Sequence, residues 1–100
     1  MLALAVTYKA KLGKREAALQ AARICSEKTR QEPGSLDYTF YEGIDDEQTF
    51  FLFEQWESQE ALDRHIKSEH LAAFRTSLKD LLERPSSIRV FEVSSVRAKL

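Results

Sequence analysis

Residues 49–56 read TFFLFEQW, and no other stretch limits the possible folds as tightly. Successive side chains of an extended strand point to opposite faces. Phe50, Leu52 and Trp56 then share one face, and Phe51 and Phe53 the other. A strand in a sheet covered on one side alternates apolar with polar, whereas this one is apolar on both. The same is true of 88–93, with Ile88 and Val90 facing one way and Phe91 and Val93 the other. Helices can cover one face only, and an apolar second face of that size is not left bare on a soluble monomer. Two-fold pairing is the commonest way to cover such a face, and each Å² of apolar surface it buries contributes roughly 25 cal/mol. The chain is therefore expected to form a homodimer.

The remaining elements follow from local pattern. Residues 2–8 (LALAVTY) read as a strand, closed by a turn at Gly13. Residues 14–31 lack Gly and Pro and are rich in good helix formers. Ala18, Ala21, Ala22 and Cys25 recur there at helical spacing, and Pro33-Gly34 stops the helix. Residues 35–42 (SLDYTFYE) alternate, with Leu36, Tyr38 and Phe40 on one face. A polar turn at 43–47 joins this strand to 49–56 as a hairpin. Ser58 is placed to cap a helix over 59–67. A second helical segment follows over 69–83, with Leu71, Phe74, Leu78 and Leu81 on one stripe, and 87–96 form the last strand. The order β-α-β-β-αα-β is the split βαβ pattern of a ferredoxin-like α+β fold, an antiparallel sheet with helices on one face. No linker or repeat interrupts it, so residues 1–100 read as one domain with a core over about 2–93.

Composition excludes several functions. Fifteen Lys and Arg against sixteen Asp and Glu give no basic excess for nucleic acid. No segment approaches the ~20 apolar residues of a membrane span. Cys25 is the only cysteine, which precludes an internal disulfide and suits a reducing compartment. The apolar N-terminal run precedes Lys9 and Lys11, the reverse of a secretory signal. The expected location is the cytoplasm. Nucleotide-binding, zinc-protease, thiol-redox and nucleophile-elbow motifs are all missing. His65 and His70 are five residues apart and cannot share a face of one helix. A metal site would need the helix to break between them and a third ligand from elsewhere, so no metal is expected.

Four pieces of the chain resemble the antibiotic biosynthesis monooxygenase family: EPGSLDY at 32–38, FEQWESQEAL at 53–62, His65, and SEHLAAF at 68–74. With the VFE strand at 90–92 the likeness spans about 2–93. It implies a dimeric α+β barrel with a pocket between sheet and helices in each subunit. It also implies chemistry on quinols, anthrone-like polyketides or haem, typically without flavin or added metal. Members that degrade haem carry an Asn on the first strand and a His on the last helix; Val6 and Arg75 stand there instead, which disfavours haem.

These readings converge on a cofactor-independent monooxygenase that oxidises a small aromatic such as a quinol with O₂. The alternatives are an isomerase or other enzyme of a small carbonyl metabolite, and a non-enzymatic binding or stress-response barrel. A phenol or hydroquinone reacts with O₂ once ionised, so the protein needs a dry cavity, a donor and a base. The resemblance makes Trp56 a pocket residue with an indole N–H to donate, or else a core residue. Glu54 shares its face and is the candidate base, or else a solvated carboxylate. His65 and His70 are further catalytic candidates, His70 alternatively a fixture of the helix break. Tyr38, Phe40, Leu52 and Phe74 are candidates for the substrate wall.

Overall fold

A computed structural model describes all 100 residues. The strands are β1 (Leu2–Lys9), β2 (Ser35–Glu42), β3 (Thr49–Trp56) and β4 (Ser87–Glu92), and the helices α1 (Arg15–Thr29), α2 (Gln59–Ile66) and α3 (Glu69–Leu78). They form one antiparallel sheet in the order β2-β3-β1-β4, the ferredoxin-like α+β arrangement expected from the element order. Leu2, Leu4, Val6 and Tyr8 of β1 join Tyr38, Phe50, Leu52 and Trp56 in one core with the helices. Ala18, Ala22 and Cys25 supply the inner face of α1, and their small side chains let it lie close to the sheet. Phe51 and Phe53 lie on the opposite, helix-free face of β3.

The structure corrects the sequence reading in β2, at the end of the last helix and at the end of β4. Leu36 does not join Tyr38 and Phe40: a bulge between Ser35 and Asp37 leaves it unpaired and 56% exposed. The last helix ends at Leu78, because the chain beyond it pairs with the end of β1. Lys11 N–H donates to Leu81 O at 2.8 Å, and Glu83 N–H to Lys9 O at 2.9 Å. β4 ends at Glu92, opposite Leu2, with one further backbone bond from Val93 N–H to Met1 O at 2.9 Å.

The helix break between α2 and α3 is built by serines. Ser58 Oγ accepts from Ala61 N–H at the start of α2. Ser68 Oγ accepts from Leu71 N–H at the start of α3 and donates to His65 O at the end of α2. One side chain thus caps the second helix and ties it to the first. That corner brings His65 and His70 together although no single helix would.

Candidate active site

A cavity of about 620 Å³ lies between the sheet and the α2–α3 corner, with largely apolar walls. Leu4 and Val6 of β1, Tyr38 of β2 and Glu54 of β3 form its floor, and Leu71 and Phe74 of α3 its roof. The β4 side is open, where Ile88 and Val90 are 54% and 53% exposed. Arg75, Lys79 and Arg84 also line it. Val6, which the sequence reading set against haem degradation together with Arg75, lines it as well.

Glu54 is central in the sheet, paired with Leu4 on one side and Tyr38 on the other, and is buried. Burial raises its pKa from the usual 4.5 to about 7. The nearby Glu32 adds to the rise, while a hydrogen bond from the Trp56 indole N–H and the charge of Arg75 oppose it. That bond is 2.9 Å long and uses the only donor Trp56 has. Trp56 is wholly buried beneath the site and does not line the cavity, so its N–H serves Glu54 rather than a bound ligand.

His65 is buried at the cavity wall. Its ring lies over Trp56, centroids 4.7 Å apart, and meets Tyr38 edge-on at 5.4 Å. Its Nδ1 is 2.7 Å from Glu32 Oε2, and His70 Nε2 lies 2.8 Å from the same oxygen. Burial lowers the pKa of His65; Glu32 opposes that, and His70 and Arg75 add to it. Glu32, His65 and His70 are also the residues that could together hold a metal ion. The three ligand atoms lie within 4.8 Å of one another, with Glu32 Oε2 at hydrogen-bond distance from both ring nitrogens.

Of the residues singled out in the sequence, Tyr38, Glu54, His65 and Phe74 line the cavity. Trp56 and His70 each touch one of these groups or its partner from behind. Leu52 and Phe40 do not reach it. Leu52 is fully buried in the core, and Phe40 packs against Phe74 at 5.7 Å and faces the α1–β2 cleft. Cys25 is a buried core residue within 3.7 Å of the Thr29 and Tyr38 hydroxyls. Glu32 escaped sequence reasoning as a site residue, although it opens the EPG piece that carries part of the family likeness.

Comparison with known proteins bears on the same features. The family model described as antibiotic biosynthesis monooxygenase matches residues 1–77. YcnE of Bacillus subtilis, provisionally named a monooxygenase, is 31% identical over 94% of this chain and 99% of its own length. Protein sll1783 of Synechocystis is 29% identical over 96% of this chain, which spans 65% of that relative's length. The crystal structure of PA3566 from Pseudomonas aeruginosa superimposes with a TM-score of 0.86 at 30% identity, covering 94% of each chain. This chain belongs to the antibiotic biosynthesis monooxygenase family.

Proposed function

We propose that this protein is a monooxygenase that oxidises a small electron-rich aromatic, such as a quinol, with O₂ and without flavin or metal. The observation that carries the reading is a buried carboxyl, Glu54, on the floor of an apolar cavity of about 620 Å³. Cavities of roughly 300–1,000 Å³ with a few convergent polar groups suit small ligands. Titratable groups displaced by burial in a cleft mark functional sites. In this reading a quinol ring would be held between Leu4 and Val6 below and Phe74 above, with its hydroxyl toward Glu54 and His65, all of which line the cavity. Removing the hydroxyl proton leaves an anion that gives electrons to O₂ directly, so the substrate supplies the redox chemistry. The protein contributes dryness, orientation and proton handling. Family membership and the provisional monooxygenase name of YcnE support the same reading. Steady-state oxygen uptake with a panel of substituted hydroquinones tests it, with saturable uptake expected for at least one. Uptake no faster than in buffer across the panel, with the protein folded, would sink the assignment.

The homodimer belongs to this proposal. The helix-free face of the sheet carries Phe51 and Phe53, with Tyr41 50% and Phe91 42% exposed. Phe53 is flanked on that face by Ala5 and Thr39 and is half-buried. Sedimentation at micromolar concentration is expected to give twice the 11.5 kDa chain mass. Phe53→Asp should give a monomer or insoluble protein. A monomeric wild type would refute the pairing.

A further inference from the structure

We propose that Glu32 is the positioning residue of the site: it fixes His65 in the tautomer with hydrogen on Nδ1, leaving Nε2 bare in the cavity as proton acceptor. The inference rests on the oxygenase reading for its substrate but not for its geometry. A carboxylate oxygen only accepts. Glu32 Oε2 lies 2.7 Å from His65 Nδ1 and 2.8 Å from His70 Nε2, so each ring points an N–H at it. Those two donors replace the water that a mostly buried carboxylate loses. His65 Nε2 makes no hydrogen bond within the chain, and His65 lines the cavity. The ring cannot swing away: its side chain is 3% exposed, stacked on Trp56 and set edge-on against Tyr38.

The arrangement is that of a carboxylate–imidazole pair, in which the acid holds the tautomer and stabilises the imidazolium that forms. The charged groups that act on His65 are Glu32 from the α1–β2 turn and His70 and Arg75 from α3, while Tyr38 of β2 and Trp56 of β3 pack against its ring. Burial keeps the free imidazole neutral, and therefore basic at Nε2, while Glu54 still holds its own proton below pH about 7. In the proton-transfer step the substrate O–H bond breaks. The proton passes to Nε2, and the electron pair stays on the substrate oxygen. His65 then carries a positive charge that faces Glu32 across the Nδ1–H bond. His70 donates to the same Glu32 oxygen and holds the carboxylate in register.

The decisive experiment is ¹⁵N NMR of the histidine side chains, with oxygen uptake across pH as the functional arm. In wild type at pH 7.5, on the neutral ring, His65 should carry hydrogen on Nδ1 and none on Nε2. Glu32→Ala should allow the other tautomer. Glu32→Gln keeps an acceptor but loses the charge; it should lower kcat by at least about 10²-fold, the low end for a general base, with KM little changed. A His65 protonated on Nε2 in wild type would overturn the proposal, and so would full kcat in Glu32→Gln. Stoichiometric zinc binding that Glu32→Gln abolishes would overturn it as well, by making the cluster a metal site. If no hydroquinone is oxidised but the tautomer is Glu32-dependent, the oxygenase reading fails and the positioning role stands.

Discussion

Gly34→Ala is expected to cost about 2–5 kcal/mol, a large fraction of the roughly 5–15 kcal/mol by which a domain is usually stable. Two independent effects add. Gly34 has φ +87°, a left-handed conformation that costs a residue with a Cβ roughly 1–2 kcal/mol. A Cβ built there would also lie 2.5 Å from Ala61 Cβ, and Ala61 is fully buried in α2. Overpacking of this kind costs typically 1–3 kcal/mol. The turn cannot simply back away, because Gly34 O accepts from Glu57 N–H at 2.8 Å and so ties the turn to the end of β3. Chemical denaturation of Gly34→Ala, Ala61→Gly and the double variant separates the effects. Ala61→Gly should be destabilising alone, by about 1 kcal/mol for the helix. In its presence Gly34→Ala should cost only the conformational part. Strict additivity would show that the clash is absent.

The same turn shows what the sequence could and could not disclose. The EPG piece was visible as part of a family likeness, and its Pro-Gly as a helix stop. Its three roles were not. Glu32 bonds His65, 33 positions away, and His70, 38 positions away, while Gly34 clears a path for Ala61. Such contacts exist only after two helices and two strands have packed. Strand parity was legible because it is local: Glu54 and Trp56 had to share a face, and they are hydrogen-bonded. Helix length was not, since the Leu71–Phe74–Leu78–Leu81 stripe continues in period beyond the point where Leu81 and Glu83 turn to pair with β1. The clean alternation at Leu36, Tyr38 and Phe40 concealed the bulge, which is set by how β2 pairs with β3. The inner wall of the cavity was hidden for a related reason. β1 is apolar at nearly every position, so nothing local distinguishes Leu4 and Val6, which line the cavity, from Ala3 and Ala5.

Glu54→Gln should make the fold more stable at alkaline pH and leave it unchanged in acid. The folded state holds the Glu54 proton up to pH about 7, whereas the unfolded chain releases it near 4.5. Below pH 4.5 both states are protonated, and the full stability is present. Between 4.5 and 7 the folded state binds more protons than the unfolded one, so stability falls as pH rises. Above 7 both are ionised and the loss is complete. A gap of that size corresponds to about 3 kcal/mol, an upper figure because the cavity beside Glu54 admits water. Glutamine has nearly the same shape, keeps an oxygen to accept the Trp56 N–H and does not ionise. At pH 8 the variant should therefore be more stable by about 1–3 kcal/mol, which for a chain of this size raises Tm by roughly 5–15 °C. At pH 4 the two proteins should melt together. The comparison must be variant against wild type, because His65 contributes with the opposite sign. Burial lowers its pKa, so its protonation destabilises the fold as pH falls. Thermal melts of both proteins from pH 4 to 8 provide the measurement, and parallel curves would show that Glu54 does not titrate in this window. The expected divergence would mean that the protein keeps a destabilising carboxyl where a stable amide fits. That is the trade expected at a reacting site, where stability is given up for activity.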